Sequence, residues 1–501
     1  MAIRLSGLSS GLDTDSIVTE LVSAYKIKKD NYKKDQTKLE WKQDAWKELN
    51  SKIYNLYSKT VSNLRYSTAY KTKTTTLSDT TKASVTAGNN STNGTQTLSI
   101  TKLAKAGYLT GAELTGASDY TSSTKLSELG IATDTSFDIT IGSSGTPKNI
   151  SIGADTTIGD VVSKLKTAGV NASFDTTNQR FFISSKTSGA ENDFSLSASD
   201  ADGTAALESL GLTTSAVKVA GQDAEIYLNG AQYTNASNTF TVNGLTITAK
   251  EETGYNADSS RKEISINTAD DTKGIYDSIK NFFKEYNVLI NEMDSLYNAT
   301  SAKGYQPLTD EEKETMTDDQ IEKWEKKIKD SLFRRDSTLD SVSSSMKSAM
   351  MKSYTVNGKT YSLASFGIST LGYFTSSANE KNAYHIDGDS DDSATSGKED
   401  KLMTALTTDP ASVESFFTQL TTGLYDSLDA KMKSTTLSSA YTVYNDKQMK
   451  QEYDEYDDLI GKWEKKMSDM EKYYYKKFSE METALTKLQS STSSLASLLG
   501  S

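Results

Sequence analysis

The chain has 501 residues, of which 35% are hydrophobic and 24% charged, and its formal net charge is −12. That length exceeds what one hydrophobic core supports and predicts three or four domains, in a polar but foldable chain unlike a disordered one. Cysteine is absent, which excludes disulfides, thiol nucleophiles and cysteine zinc sites, and His385 is the single histidine, which leaves a serine–histidine triad or a multi-histidine metal site almost nothing to work with.

The negative balance argues against nucleic acid, whose phosphates demand a basic face. No run approaches the ~18 apolar residues that span a bilayer. Residues 1–10 also lack the basic start and apolar stretch of a secretory signal peptide. No phosphate-cradling GxxxxGK[ST] loop and no paired catalytic motif occur. The chain therefore reads as a non-enzyme, with no catalytic, cofactor-binding or metal-ligating residues expected, and His385 reads as a surface loop residue.

The first element is a helix with a seven-residue repeat: Val18, Tyr25, Tyr32, Leu39, Trp46, Ile53 and Thr60. Six of the seven are apolar or aromatic. The alternate row, Leu21, Lys28, Asp35, Lys42, Leu49, Leu56 and Asn63, is apolar at both ends and polar in its middle. Such a repeat keeps one face on a partner helix and favours left-handed supercoiling. The polar middle predicts a segment that orders only when something packs on it.

From Thr72 to about Ala269 the period changes to alternation between turn residues, in strings such as Thr95–Thr101, Ser136–Ile141, Arg180–Ser185, Ala224–Leu228 and Asn243–Thr248. These predict short strands in one or two β-rich domains, interrupted by a helix over Thr157–Thr167. Helix returns with Ile275, Ile279, Phe282, Tyr286, Leu289, Met293 and Leu296 on one stripe. The last helix carries Tyr453, Ile460, Met467, Tyr474, Met481, Leu488 and Leu495 every seven residues. Tyr456, Trp463, Met470, Ala484 and Leu498 lie on its alternate row, with gaps at Lys477 and Ser491.

The two ends are thus expected to pair. Residues 1–75 hold 14 Lys/Arg against 8 Asp/Glu, and residues 445–501 hold 9 against 11. The expected coiled-coil seam is Leu39, Trp46, Ile53, Tyr453, Ile460, Met467, Tyr474 and Met481. The expected fold is a multidomain α+β chain: an elongated helical coiled-coil stalk made by both ends, with nested β-rich head domains inserted. Its parts are terminal coiled-coil legs (1–40 and 445–501), a helical stalk domain (41–72 and 273–444), an inner head (73–117 and 220–272) and an outer head (118–219).

Specific strings then carry a resemblance. Ser6–Val22, SGLSSGLDTDSIVTELV, resembles the N-terminal signature of the flagellar hook-associated protein 2 family, the filament caps. In physical terms Gly7 and Gly11 permit turns, and Asp13 or Thr14 can cap the helix that follows. Gln96–Gly107, Gln222–Thr248, Leu332–Leu339 and Asp400–Phe417 are similar to later stretches of that family in the same order, and Leu126–Ser184 resembles its outer head. The chain departs at Ile386–Lys401, where an acidic insertion replaces a tight hairpin. Asp387, Asp389 and Asp391 there mimic the start of a calcium loop, yet Asp392 replaces its turn glycine and Lys398 its bidentate Glu.

The resemblance implies export through the flagellar type III channel and a homo-oligomeric ring, most often of five subunits, at the filament tip. It implies as partners flagellin, the hook–filament junction protein and an export chaperone at the C-terminus. Leu8, Leu12, Ile17, Leu21, Leu488, Leu495, Leu498 and Leu499 are the residues expected to contact the filament. Alternatives are another junction protein of the same organelle, or a surface adhesin or carbohydrate-binding module using the β-heads and some of the 27 tyrosines.

Overall fold

Gly11 turns the chain at φ 70°, and Asp13 then accepts a hydrogen bond from the Ser16 amide at 3.1 Å, capping a helix that runs Thr14–Asn55. In this computed structural model residues 10–116, 119–372, 375–376 and 380–500 are described. They form two compact units: residues 1–70 together with 272–501, and residues 71–271.

The first unit is helical. Its N-terminal helix passes through a π-helical turn, Leu56–Val61, and is joined by helices Thr272–Tyr297, Ser337–Met350, Pro410–Met432 and Asp446–Leu499. The apolar stripe expected on Thr272–Tyr297 faces inward: Ile275, Ile279, Phe282, Tyr286, Leu289 and Met293 are buried. They meet Ile53, Leu56 and Val61 from the first helix and Phe416, Phe417, Leu420 and Leu424 from Pro410–Met432. Asp409 caps that last helix and Pro410 opens it, at the position where a missing amide costs no hydrogen bond.

The second unit holds two separate apolar cores. One lies between a five-stranded antiparallel sheet and a three-stranded one. The five-stranded sheet orders its strands Lys73–Leu77, Ile264–Asp270, Gly94–Lys102, Ala224–Leu228 and Ala231–Asn235. Asn229–Gly230 and Asn243–Gly244, with φ of 50° and 81°, 49° and 78°, make the tight hairpin turns that only such residues enter cheaply. Asn243–Gly244 is therefore turn, and the strand expected from Asn243 runs Leu245–Ala249. Lys73, where the chain enters this unit, bonds Asp270, where it leaves, at 2.5 Å, and Asn93 at 2.8 Å.

The other core gathers a four-stranded and a three-stranded sheet around helices Ile158–Ala168 and Ala201–Ser209. Thr157 is the cap of the first of these helices, paired reciprocally with Asp160. Strand Tyr108–Thr110 pairs with Arg180–Ser185, and Leu109 and Leu114 are buried in this core. Residues 108–116, placed with the inner head on sequence, thus belong with 126–212. A three-residue strand carries too little alternation to reveal which sheet it joins.

Candidate functional site: the paired terminal helices and their braces

The long terminal helices lie antiparallel. Going up the first, Asp15 accepts from the Tyr475 hydroxyl at 2.8 Å, Tyr25 meets Trp463, Tyr32 meets Tyr456, and Trp46 stacks on Tyr444. The ring centroids are 6.3, 6.4 and 5.2 Å apart, an aromatic ladder along the seam. Trp46 and Ile53 are fully buried; Leu39, Tyr453, Ile460, Met467, Tyr474 and Met481 are half-buried.

The alternate rows differ from expectation in part. On the first helix Val22, Lys29 and Gln36 turn inward while Leu21, Lys28 and Asp35 are exposed, and further along Leu49 and Leu56 are buried as expected, beside half-buried Gln43 and Asn50. Polar residues in this seam are satisfied: Gln36 donates to Asp457 at 3.1 Å, and Asn50 bonds Tyr441 and Val443 backbone at 3.1 and 2.9 Å. Such pairs pin register at some cost in stability. On the last helix the packed face steps four residues from Met470 to Tyr474 and four again to Phe478, then continues through Met481, Glu482 and Leu485. Ala484, expected on the seam, is exposed. A straight helix drifts about 20° per heptad, and the extra step of four takes up that drift.

Every residue from Thr486 to Ser497 is exposed, with Leu488 and Leu495 at 66% and 61%. Leu12 is likewise exposed and Ile17 half-buried. Leu8 lies outside the described residues, as do the side chains of Leu498 and Leu499, whose backbone ends the helix.

Charge is used differently from expectation. Lysines of the first helix find carboxylates on the segment 292–336: Lys26 with Glu311, Lys33 with Asp310, Lys34 with Glu312, Lys42 with Asp336 and Lys52 with Glu292. The polar middle of the helix is covered by this acidic segment, which no periodicity announces.

The acidic insertion is also ordered by cations. Lys280 on the buried-stripe helix bonds Asp389 at 2.5 Å and Asp391 at 2.7 Å, and Lys398 bonds Asp387 at 2.9 Å. His385 is no loop residue: it sits half-buried on strand Tyr384–Ile386 with Nδ1 2.6 Å from Asp392. The carboxylates that mimic a calcium loop are thus turned to Lys280 and Lys398. Among the described residues no group of three metal-ligating side chains gathers.

The Lys280 hydrogen bond holds Asp391 below the ordinary aspartate value. Burial works to raise Asp392, but His385 and the Ala394 amide bring it below that value as well. Carboxylates depressed in the fold stabilise it above their unfolded pKa of about 3.9, and that stability is lost as pH falls through the folded values. Residues 386–400 should therefore lose hydrogen-exchange protection, corrected for intrinsic rates, below about pH 4, ahead of the helix Pro410–Met432. Simultaneous loss in both would contradict this assignment.

A chain whose two ends form one helical pair, and whose middle is a β-rich insertion with its own cores, is a multidomain α+β protein of nested-insertion architecture. The profile "Flagellar hook-associated protein 2 C-terminus" matches residues 221–490, and the corresponding N-terminus profile matches residues 10–107. The chain belongs to the flagellar hook-associated protein 2 family; it is a cap of the bacterial flagellar filament, exported by the flagellar type III pathway to the filament tip.

It is 24% identical to flagellar hook-associated protein 2 of Halalkalibacterium halodurans, over 98% of this chain and 99% of that one. It is 26% identical to the protein of that name from Thermotoga maritima, over 74% of this chain and 56% of the relative. In fold it is similar to the D1-D2-D3 domains of the Escherichia coli flagellar cap protein FliD, with TM-score 0.52 and 20% identity, over 82% of this chain and 99% of that one.

Proposed function

We propose that this protein works as a homo-oligomeric ring, of five subunits, seated on the growing filament, where it promotes folding and insertion of flagellin and prevents its loss. The terminal helices are the legs. Leu12, Ile17, Leu21, Leu488 and Leu495, with Leu8, Leu498 and Leu499, contact the filament end. The same C-terminal leucines are covered by an export chaperone before secretion, and the hook–filament junction protein is the first surface the ring meets.

What supports this reading is the exposed heptad pair Leu488 and Leu495, which keeps the seven-residue spacing of the seam. A cap must hold its place yet step forward, so its contacts must be weak and re-formable. Legs with a polar, half-buried seam suit that, because ordering on binding consumes part of the interaction energy.

Electron microscopy of the purified protein tests the ring directly: the expected image is a closed ring with projections from one face, seen also at filament tips. A protein that stays monomeric at all concentrations, or that is found at the hook, overturns the reading. Hydrogen exchange on free subunits is expected to show weak protection over residues 14–40 and 450–499 beside strong protection of Thr272–Tyr297. Equal protection would mean the legs form a rigid, self-sufficient bundle.

A further inference from the structure

The segment between helices Thr272–Tyr297 and Ser337–Met350 is a brace with two unlike ends. Its base is apolar: Ile328 and Phe333 are buried, and Phe333 meets Trp46 in a T-shaped contact at 4.7 Å. Its far end is the short helix Asp310–Glu314, in which no residue is buried. Three consecutive carboxylates there, Asp310, Glu311 and Glu312, each take one lysine of the N-terminal helix: Lys33 at 3.3 Å, Lys26, and Lys34 at 2.7 Å. The far end is tied to its own base by Lys313–Glu325 at 2.8 Å and by the Trp324 indole donating to the Gln306 carbonyl at 2.8 Å. The brace therefore holds together as a piece, while its grip on the middle of the N-terminal helix is ionic.

We propose that residues 310–312 form an ionic clasp on Lys26, Lys33 and Lys34 of the N-terminal helix, opened by ionic strength or charge competition, with the Trp46–Phe333 contact as the fixed hinge. The pairs are exposed, so each contributes little by itself, and their field reaches about 10 Å at 0.1 M salt but only about 3 Å at 1 M. The hydrogen bond that Lys26 donates to Glu311 raises the ammonium pKa, which agrees with such a grip. Closed, the clasp covers the polar stretch of the helix that lacks apolar seam residues; open, it leaves that stretch held by the C-terminal helix alone. The clasp's use as a release for the leg rests on the cap reading; the clasp itself does not.

The test is hydrogen exchange on the full chain at about 0.05 M and about 1 M salt. Protection of residues 24–38 and 308–316 should fall about tenfold at high salt, with residues 328–346 unchanged. The D310K/E311K/E312K variant should show the open pattern already at low salt, as should K26E/K33E/K34E. The six-fold variant that combines them should be closed again, which distinguishes a charge clasp from general damage. Salt-independent protection, or a six-fold variant as open as the triples, overturns the clasp. Capping is scored separately by microscopy of filament tips, so a protein found away from the tip leaves the clasp standing, and a failed clasp leaves the cap reading standing.

Discussion

Trp46→Ala is expected to destabilise the helical unit by about 3–5 kcal/mol, the range for removing a large aromatic from a close-packed core. Trp46 is 2% exposed and packs against two rings at once. Its ring stacks on Tyr444, where the C-terminal helix is about to begin, at 5.2 Å and 7° between planes. It also meets the Phe333 ring in a T-shaped contact at 4.7 Å and 84°, at the base of the acidic brace. Removing it leaves a cavity where the N-terminal helix, the start of the C-terminal helix and the brace converge. Urea unfolding followed by far-ultraviolet circular dichroism should show the helical transition moving to lower denaturant. The β-rich unit has cores of its own and should keep its midpoint. Trp46→Phe, which keeps a ring in the stack, should lose less than half as much. A loss under about 1 kcal/mol for the alanine variant would mean that this junction does not hold the terminal helices to the core.

The second large effect is expected on function with no effect on folding. Leu488→Gln and Leu495→Gln together should leave thermal and urea unfolding unchanged within about 0.5 kcal/mol, because both side chains are mostly exposed and glutamine is nearly as good a helix former as leucine. Capping, in contrast, should fail: filaments should be short or absent and flagellin should appear in the growth medium. The effect is large because the two leucines sit seven residues apart on one stripe, so the double change removes apolar contact from two successive turns of a single docking face. Deleting Ser490–Ser501 should behave in the same way. Wild-type filament length with the double variant would show that the exposed stripe is not a contact surface.

These two experiments probe opposite ends of the same pair of helices. Near Trp46 the pair is anchored by a dry aromatic junction; near Glu482 it is held by the Ser10 amide and the Tyr475–Asp15 bond, and beyond that it carries exposed leucines. The dry junction thus lies at one end of the pair and the exposed leucines at the other, which is the arrangement that the proposed leg needs if its far end is to let go without unfolding its root.

Much of this was legible in the chain because it is written in local periodicity. A seven-residue repeat, a capping Asp13, an Asn–Gly turn and an alternating strand each act within one element, where one residue type meets one backbone requirement. The stripe from Ile275 to Met293 and the strands at 94–102, 135–141, 180–185 and 224–228 therefore follow from the residues themselves. The spacing of Leu488 and Leu495 was also visible, since it continues the seven-residue repeat of the last helix.

What the residues alone did not decide was whatever depends on a distant partner. Val22 rather than Leu21 turns inward, and Phe478 rather than Lys477, because the true helix period differs slightly from seven residues per two turns and the partner's surface selects which neighbour absorbs the drift. Nothing in the sequence marks the lysines at 26, 33 and 34 as paired; a segment nearly 300 residues on lays three carboxylates against them. The acidic insertion read as a doubtful loop until Lys280 gave two of its aspartates a cation. Coulombic pairing carries no sequence period, so tertiary structure alone determines which charges meet.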